Sequence, residues 1–425
     1  MTRSVSSSRG WVVTFAGLGI NLALGVLYSW SVIAKALTKA AEEGGWGWTA
    51  GQASLPYAIA VGLFALTMVF AGRAQDRLGP RVVASLGGVL TGLGLIVASF
   101  ATPESTWPIT IGFGLLAGVG IGLGYAAATP AAVKWFPPSK KGLITGLVVA
   151  GFGLASVYIA PLTSWLIASQ SISGAFRILG IAFLVLVTGL AQLLVNPPAG
   201  YLPSAAGVKA DATAAAKHDD YDWRDMVRTK QFALLWLMFA FSAFAGLMII
   251  GHMAKIAAAQ LTTIDLGFLL VAVLAVGNAG GRVVAGIVSD RIGGIRTMLI
   301  VFLLQAVMMG ALFFSATALT LVPVAAAIGF CYGANLALFP ATTAGYFGTK
   351  NLGVNYGLVF TAWGVGGVFG SMTAGSIVDS TGTYGVAYAI AAGLCVLAAG
   401  LTFATKPPAP RAQPVTLEQA DQKAA

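Results

Sequence analysis

Charged residues are scarce in this chain of 425 residues. Aspartate, glutamate, lysine and arginine together make up 9% of it, whereas 57% is hydrophobic. A soluble domain carries about 25% charged residues, so this composition cannot cover a surface that faces water. The mean hydropathy of +0.85 agrees. The scarcity of charge therefore excludes a soluble globular protein and indicates an integral membrane protein.

Cysteine and histidine are also rare, with two residues of each. Cys331 and Cys395 lie inside apolar stretches and form no CxxC pair, so their number and spacing exclude a disulfide framework and a cysteine metal site. We expect no metal and no cofactor. No cleavable signal is visible, because the apolar run after Gly10 is too long for a signal core. We expect the first span to be an anchor.

The apolar residues form long runs. A helix needs about 20 mostly apolar residues to cross the hydrocarbon core of a membrane, and twelve such runs predict an all-α integral membrane protein with twelve transmembrane helices. The predicted spans are residues 11–36, 52–72, 82–101, 108–133, 142–168, 175–195, 231–257, 264–288, 297–316, 319–347, 353–378 and 384–404.

The net charge of +10 does not point to a nucleic-acid partner, because of where the cations lie. If the N-terminus is cytoplasmic and the loops alternate, nineteen of the 24 lysines and arginines lie inside. Only four lie outside, and this bias follows the positive-inside rule. We expect a multi-pass protein of the cell (inner) membrane with both termini in the cytoplasm. The four outside cations are Lys35, Lys39, Arg177 and Lys255.

The longest polar stretch divides the chain into two halves. Residues 196–230 are rich in proline, alanine and mixed charges and read as a cytoplasmic linker. The predicted units are a six-helix bundle (residues 1–195), the linker (196–230), a second six-helix bundle (231–405) and a cytoplasmic tail (406–425). Within the linker, residues 221–226 fit a short surface helix or a plain loop equally well.

A short motif occurs once in each half. GRAQDRLGPR (residues 72–81) follows the second span and GIVSDRIGGIR (286–296) follows the eighth. Both read G-x-x-x-D-R-x-G, and a repeat at corresponding positions indicates a duplicated unit. Many transporters consist of such repeats and bind substrate near mid-membrane, where the halves meet.

The paired motifs resemble the cytoplasmic loop motif of the major facilitator superfamily. The resemblance implies two pseudo-symmetric six-helix bundles. It also implies that Asp76 and Asp290 cap neighbouring helices and pair with arginine to hold a gate shut, which makes Asp76, Arg77, Asp290 and Arg291 the gate motif.

Further motifs resemble a narrower group. EGGWGW (residues 43–48) is similar to a signature of monocarboxylate transporters, and residues 135–155 resemble their second signature. That second segment, with YSW (28–30), GNAGGR (277–282) and NYG (355–357), also resembles the oxalate–formate antiporter family. The likeness runs from about residue 25 to about 406. It implies transport of a small monocarboxylate such as lactate, in the manner of bacterial lactate–proton symporters.

Arg282 is the one strong cation inside a predicted span. A charge in the hydrocarbon core costs several kcal/mol, so it is rare and usually functional. Arg282 lies eight residues before Asp290, about 12 Å along a helix. One turn away stand Asn278 and Gly286, so no acid neutralises it locally, and its planar fork of donors fits a carboxylate. The alternative is a structural arginine that pairs with backbone carbonyls or a distant acid.

Neighbouring residues extend this candidate site. Asn278 lies on the same helix face as Arg282, and the resemblance places both on the substrate-binding helix. Animal monocarboxylate carriers have aspartate where this chain has Asn278, so proton coupling by that helix is in doubt. Aromatic side chains are expected to line the cavity, whereas Tyr158 fits lipid or packing equally well. The cavity aromatics are Tyr28, Tyr125, Tyr332, Phe360 and Trp363.

The charge of the substrate is predicted from residue Trp363. The matching position in oxalate carriers is lysine, a second cation for a second carboxylate. With tryptophan there, Arg282 is left as one cation, which favours a monoanion over oxalate.

His252 is the only histidine inside a predicted span. Imidazole titrates near neutral pH, so His252 is the candidate for proton coupling. The alternative is a half-buried histidine near the outer surface, close to Lys255.

Together these features predict a monomeric secondary transporter that works by alternating access, so that its binding site opens to one side of the membrane at a time. Its expected partners are a small monocarboxylate, a co-transported proton and the lipid bilayer. Anion exchange of the oxalate–formate type is the alternative function. An enzyme is disfavoured because His252 is not joined by converging acids or cysteines at membrane depth, and a sensor because the linker and tail are short.

Overall fold

A computed structural model describes residues 7–198, 201, 220–261 and 267–408. Long helices dominate it because the apolar runs leave backbone amides and carbonyls no partner in lipid except within a helix. The fifteen helices in chain order are α1 (Ser7–Leu24), α2 (Trp30–Thr38), α3 (Ala50–Leu78), α4 (Pro80–Ala98), α5 (Trp107–Ile109), α6 (Gly118–Val133), α7 (Lys141–Gln170), α8 (Ile172–Ala191), α9 (Trp223–Val227), α10 (Lys230–Gln260), α11 (Gly267–Ile292), α12 (Gly294–Ala311), α13 (Ala318–Phe347), α14 (Leu352–Thr381) and α15 (Gly385–Ala404).

Twelve helical segments of the described residues are long and apolar enough to cross a membrane, which confirms the predicted number. A 3-10 turn (Gly25–Ser29) joins α1 and α2 into the first of them. A π-helical stretch (Thr110–Ala117) joins α5 and α6 into the fourth. The short α9 is the remaining helix, and it settles the open choice at residues 221–226 in favour of a helix. Residues 202–219 of the linker and 409–425 of the tail lie outside the described residues.

The two repeated motifs are helical almost throughout, which corrects their description as loops. The second span was expected to end at Gly72, but α3 continues to Leu78. Only Gly79 (φ 86°) separates α3 from α4, and only Gly293 (φ 92°) separates α11 from α12. A side chain rarely adopts such a φ, so glycine permits the one-residue reversal. Asp76 and Asp290 therefore project from helix ends, and this end of the bundle is called the motif end below.

The two halves meet mainly along two helix pairs. The first-half helix α3 packs against α14, and α7 packs against α11. The pairing is close because glycines face each other across it: a Cβ atom at Gly142 would overlap the carbonyl oxygen of Gly286, and one at Gly146 would overlap that of Arg282. Helices with small residues at four-residue spacing can approach in this way. The division into units at residues 195, 230 and 405 stays a prediction.

A second glycine interface holds α11 against α13. Gly277 and Gly281 of α11 face the carbonyl oxygens of Ala326 and Phe330. Gly329 and Gly333 of α13 face those of Leu274 and Asn278 in return. The helix that carries Arg282 is thus fixed between α7 on one side and α13 on the other.

We expect Gly281→Ala to destabilise the protein by about 1–3 kcal/mol, because the added methyl must displace backbone across a packed interface. Gly280→Ala on the same helix is the matched control. A Cβ at residue 280 meets nothing within 4 Å, and alanine raises helix propensity there. Thermal unfolding of the purified protein in detergent measures both, and a melting temperature that falls equally in the two variants contradicts this account of the interface.

Candidate binding site around Arg282

Arg282 is fully buried, with 0% of its surface exposed. It is the only lysine, arginine, aspartate or glutamate among the buried residues of the described ranges. Its Nε donates to Asn278 Oδ1 at 3.0 Å, and its Nη1 donates to the carbonyl oxygen of Val149. Its buried Nη2 has no hydrogen-bond partner in the part of the chain that the structure describes. The guanidinium therefore keeps one donor group available in an enclosed site.

No carboxylate of the described residues forms an ion pair with Arg282. The absence of an acid one turn away was expected, and the alternative of a distant acid finds no support in these ranges. The alternative that Arg282 pairs with backbone carbonyls is correct for one of its donors, because the carbonyl oxygen of Val149 in α7 accepts a hydrogen bond from it. That bond crosses from the second half of the chain to the first. Arg282 thus has a structural contact and a free donor at the same time.

The backbone of α7 explains how the guanidinium reaches Val149. A Cβ atom at Gly153 would lie 3.1 Å from Arg282 Nε and 3.3 Å from its Cζ. Any side chain at residue 153 must therefore share space with the guanidinium. Gly146 and Gly153 leave α7 bare on this face, so that a long side chain from α11 can lie along it.

Tyrosines surround this charge. Tyr125 of α6, Tyr332 of α13 and Tyr356 of α14 are all buried and within electrostatic reach of Arg282. The Tyr356 hydroxyl interacts with the side chain of Tyr125. These hydroxyls present polar tips on aromatic bodies, which suits a site that is apolar in shape and polar at a few points.

Trp363 forms the border of the site on α14. Its Nε1 donates to the Tyr332 hydroxyl at 2.9 Å, and its ring stacks on Phe360 with centroids 5.0 Å apart. Phe360 is 1% exposed, and its ring lies 5.8 Å from that of Tyr125. The structure thus brings Tyr125, Tyr332, Phe360 and Trp363 into one cluster beside the Arg282 charge.

The sequence prediction missed three members of the cluster. Phe64 of α3 contacts four aromatic rings of the cluster. The ring centroid of Phe152 of α7 lies 5.3 Å from that of Tyr125 and 5.5 Å from that of Tyr28. Phe152 lies in the second signature segment (135–155), and Tyr356 is the tyrosine of NYG, so both stood in motifs that were already recognised. Phe64 carries no such signal, because it is one phenylalanine among 23.

His252 and Tyr158 lie elsewhere. His252 Nδ1 is 3.1 Å from the hydroxyl of Tyr384, at the start of α15. It stands 22 residues past the start of α10, about 33 Å from the motif end, whereas Arg282 is about 15 Å from that end on α11. Tyr158 is 37% exposed and donates to the Leu22 carbonyl oxygen at 2.8 Å. A role for His252 in proton transfer stays a prediction.

Two aspartates join the halves at the motif end. Asp290 accepts hydrogen bonds from the amides of Gly142 (2.7 Å) and Leu143 (2.8 Å), at the start of α7. Asp76 accepts from Gly353 (3.4 Å) and Val354 (3.1 Å), at the start of α14. These amides have no partner within their own helices, and a carboxylate also complements the positive end of the helix dipole. Each half therefore caps a helix of the other.

The cation beside Asp76 is a lysine, which corrects the expected pairing with arginine. Lys134 Nζ lies 3.7 Å from Asp76 Oδ1. Arg77 and Arg291, by contrast, are exposed, and among the described residues neither forms an ion pair with Asp76 or Asp290. The reason is direction: the residue next to an aspartate on a helix points about 100° away from it, whereas Lys134 approaches from the end of α6.

The EGGWGW segment is a folded turn. Gly44 (φ 82°) and Gly47 (φ 65°) adopt backbone conformations that favour glycine. They turn the chain so that Trp48 is buried and its Nε1 donates to the Pro103 carbonyl oxygen at 2.8 Å. Its position next to α2, at the opposite end from the motifs, gives this signature a structural function.

The sequence pattern of the Major Facilitator Superfamily matches residues 10–261 and 237–424. The chain is 28% identical over 384 residues to the "Oxalate:formate antiporter" of Oxalobacter formigenes, covering 88% of this chain and 86% of that one. It is 26% identical over 402 residues to "Monocarboxylate transporter 13" of Rattus norvegicus, covering 92% and 88%.

The fold agrees with a solved structure as well. The proton:xylose symporter XylE superposes with a TM-score of 0.70 at 14% identity, over 94% of this chain and 96% of that one. This chain belongs to the major facilitator superfamily. It is therefore a multi-pass membrane transporter with the two-bundle fold of that family and not an enzyme, and its relatives include carriers of monocarboxylates and of oxalate and formate.

We expect Asp290→Ala to loosen the start of α7, because hydrogen bonds to a charged acceptor contribute about 1.5–3 kcal/mol each. Amide hydrogen exchange at Gly142 and Leu143 should accelerate by about tenfold or more. Asp76→Ala should do the same at Gly353 and Val354. Glu104→Ala, in an exposed loop, is the control and should leave both helix starts unchanged. Exchange that stays slow in both aspartate variants contradicts the capping function.

Proposed function

We propose that this protein moves a small monocarboxylate such as L-lactate across the membrane by alternating access, together with a proton. The observation that carries the proposal is the Arg282 guanidinium, which is fully buried and has an Nη2 group without a partner among the described residues. A carboxylate matches it in charge and in planar geometry. Asn278 beside it supplies an amide that can donate and accept at a neighbouring oxygen.

The number of cations supports a monoanion. Arg282 is the sole charged side chain buried within the described ranges, and the resemblance to oxalate carriers implies that Trp363 stands where those carriers have lysine. The Trp363 ring, stacked on Phe360 and bonded to Tyr332, offers an apolar wall beside the charge. A small organic acid with one carboxylate and a short carbon chain fits a site of this character.

Proton symport is favoured by charge balance. A fixed buried cation binds an anion strongly, so release of the anion is slow unless its charge is neutralised. A proton that is transported with the anion also makes the cycle electroneutral. The helix that carries Arg282 has Asn278 where animal monocarboxylate carriers have aspartate, so His252 is the proposed proton carrier, acting at a distance from Arg282. The proposed setting is the cell (inner) membrane, as a monomer with both termini in the cytoplasm.

Anion exchange is the second candidate function. The likeness to the "Oxalate:formate antiporter" favours it, and Arg282 can hold either of two exchanging anions. Trp363 argues against oxalate as one of them, because a dianion needs a second cation.

We expect Arg282→Gln to lower uptake of labelled L-lactate into proteoliposomes at least about 100-fold, since a buried charge-assisted pair contributes about 3 kcal/mol or more. Arg177→Gln on the exposed surface of α8, outside both repeated motifs, is the matched control and should transport normally. An inward proton gradient should accelerate uptake by the unchanged protein. If anion inside the vesicles accelerates uptake and the proton gradient does not, the transport is exchange and not symport. Specific uptake of L-lactate by the Arg282→Gln variant would contradict the proposal.

We expect Trp363→Lys to make oxalate a competitor of lactate uptake at a concentration about tenfold lower than for the unchanged protein, because the lysine adds a second cation facing the cluster. Trp363→Phe keeps an aromatic wall without new charge and should leave oxalate inhibition as it is. Inhibition constants for oxalate, measured in the same vesicles, provide the comparison. Equal constants in all three proteins contradict the cation count as the source of selectivity.

A further inference from the structure

A groove at the motif end is lined by helices of both halves and by the linker helix. It lies between α3, α14 and α9, and it contains two adjoining cavities of about 270 and 530 Å³. Arg73, Arg77, Trp223 and Val354 line both of them. Asp76 and Arg77 of the gate motif lie on its wall, but binding of a monocarboxylate at Arg282 gives the groove itself no ligand.

The smaller cavity carries an excess of positive charge. Arg73, Arg77 and Arg224 line it, together with the carboxylates of Asp76 and Asp222. Asp76 is already compensated by Lys134 and by the amides at the start of α14. Three guanidinium groups therefore face the single remaining carboxylate of Asp222. Guanidinium groups bind phosphate oxygens through paired hydrogen bonds, so the cavity suits a phosphate group.

The larger cavity is apolar and open to the outside of the bundle. Val69, Phe70 and Leu78 of α3 and Leu358 of α14 line it. Phe70 is 67% exposed and Leu78 is 64% exposed, which places them on the face of a membrane-spanning helix that touches lipid. A phosphate-binding cavity continuous with an apolar groove of this kind matches one amphiphilic molecule.

The wall formed by α9 is held firmly in place. The Tyr221 carbonyl oxygen accepts hydrogen bonds from Asn351 Nδ2 (3.0 Å), directly before α14, and from Asn355 Nδ2 (3.1 Å) in α14. Trp223 and Arg224 follow directly, with the Arg224 guanidinium 5.3 Å from the centre of the Trp223 ring. Tryptophan and arginine are typical of the depth at which lipid headgroups lie, and α3 ends at this level with Leu78.

We propose that this groove binds one anionic glycerophospholipid, with its phosphate between Arg73, Arg77 and Arg224 and an acyl chain along Val69, Phe70 and Leu358. Charge complementarity and the adjoining apolar surface together identify a lipid as the occupant rather than a soluble anion. The proposal does not depend on which substrate Arg282 binds. It gives the linker helix α9 a function as one side of a lipid site that bridges the two halves.

Native mass spectrometry of the full-length protein in detergent tests the proposal, with phosphatidylglycerol, phosphatidylcholine and glycerol 3-phosphate as probes. One phosphatidylglycerol should bind at least about tenfold more tightly than phosphatidylcholine. Arg73→Gln and Arg224→Gln should each weaken it about fivefold, the effect of one basic residue at an anionic lipid surface. Arg228→Gln is the matched control, because Arg228 is exposed just after α9 and lines neither cavity.

Three results would overturn the proposal. If phosphatidylcholine binds as tightly as phosphatidylglycerol, the three arginines do not select an anionic lipid. A loss with Arg228→Gln as large as with Arg224→Gln would show attraction to the surface in general. Displacement of the lipid by an equal concentration of glycerol 3-phosphate would identify a soluble phosphate as the ligand. Val69→Trp adds an uncharged test, since filling the apolar groove should weaken phosphatidylglycerol while all the arginines remain.

Discussion

The buried charge of Arg282 is the constraint on which the rest of this structure depends. An arginine at the centre of a membrane helix costs about 2.5–3.5 kcal/mol on insertion scales, and here it has no counter-charge among the described residues. Asn278 and the Val149 carbonyl offset part of that cost. The glycines of α7 and α13 bring three helices close enough for this arrangement, so the packing of the core is organised around one guanidinium.

The contact with Val149 joins Arg282, the proposed binding residue, to the other half of the chain. Val149 belongs to the first half and Arg282 to the second, and Gly153 lets the guanidinium lie against the α7 backbone. A carboxylate that binds Arg282 competes with that carbonyl for the same donors, since a guanidinium has five N–H groups in a fixed plane. Under the proposed function, substrate at Arg282 would therefore weaken a bond between the halves. At the motif end, Asp76 and Asp290 form further hydrogen bonds between the same halves.

Sequence reasoning recovered what depends on local pattern. The twelve spans follow from hydrophobic length, and Asn278 follows from its position four residues before Arg282. The end of α3 was misplaced because the motif is polar enough to resemble a loop, yet Leu78 still belongs to the helix. Val149, Phe64 and Lys134 could not be predicted, because a backbone acceptor or a side chain from another helix leaves no periodic trace in the sequence. These are the contacts that only the packing of helices against each other determines.

Selectivity at a buried anion site depends on the number of buried cations and on the side chains that surround the anion. Low polarity makes every buried charge interact strongly, so adding or removing one cation changes which anion is neutralised. In this chain Trp363 belongs to the aromatic cluster beside Arg282, and its indole N–H is already bonded to Tyr332 while its ring stacks on Phe360. A second carboxylate would meet that ring with no partner and lose its hydration without compensation. A wall of this kind accepts a methyl or hydroxyalkyl group at little cost, so the proposed selectivity depends on what surrounds the carboxylate rather than on the carboxylate itself.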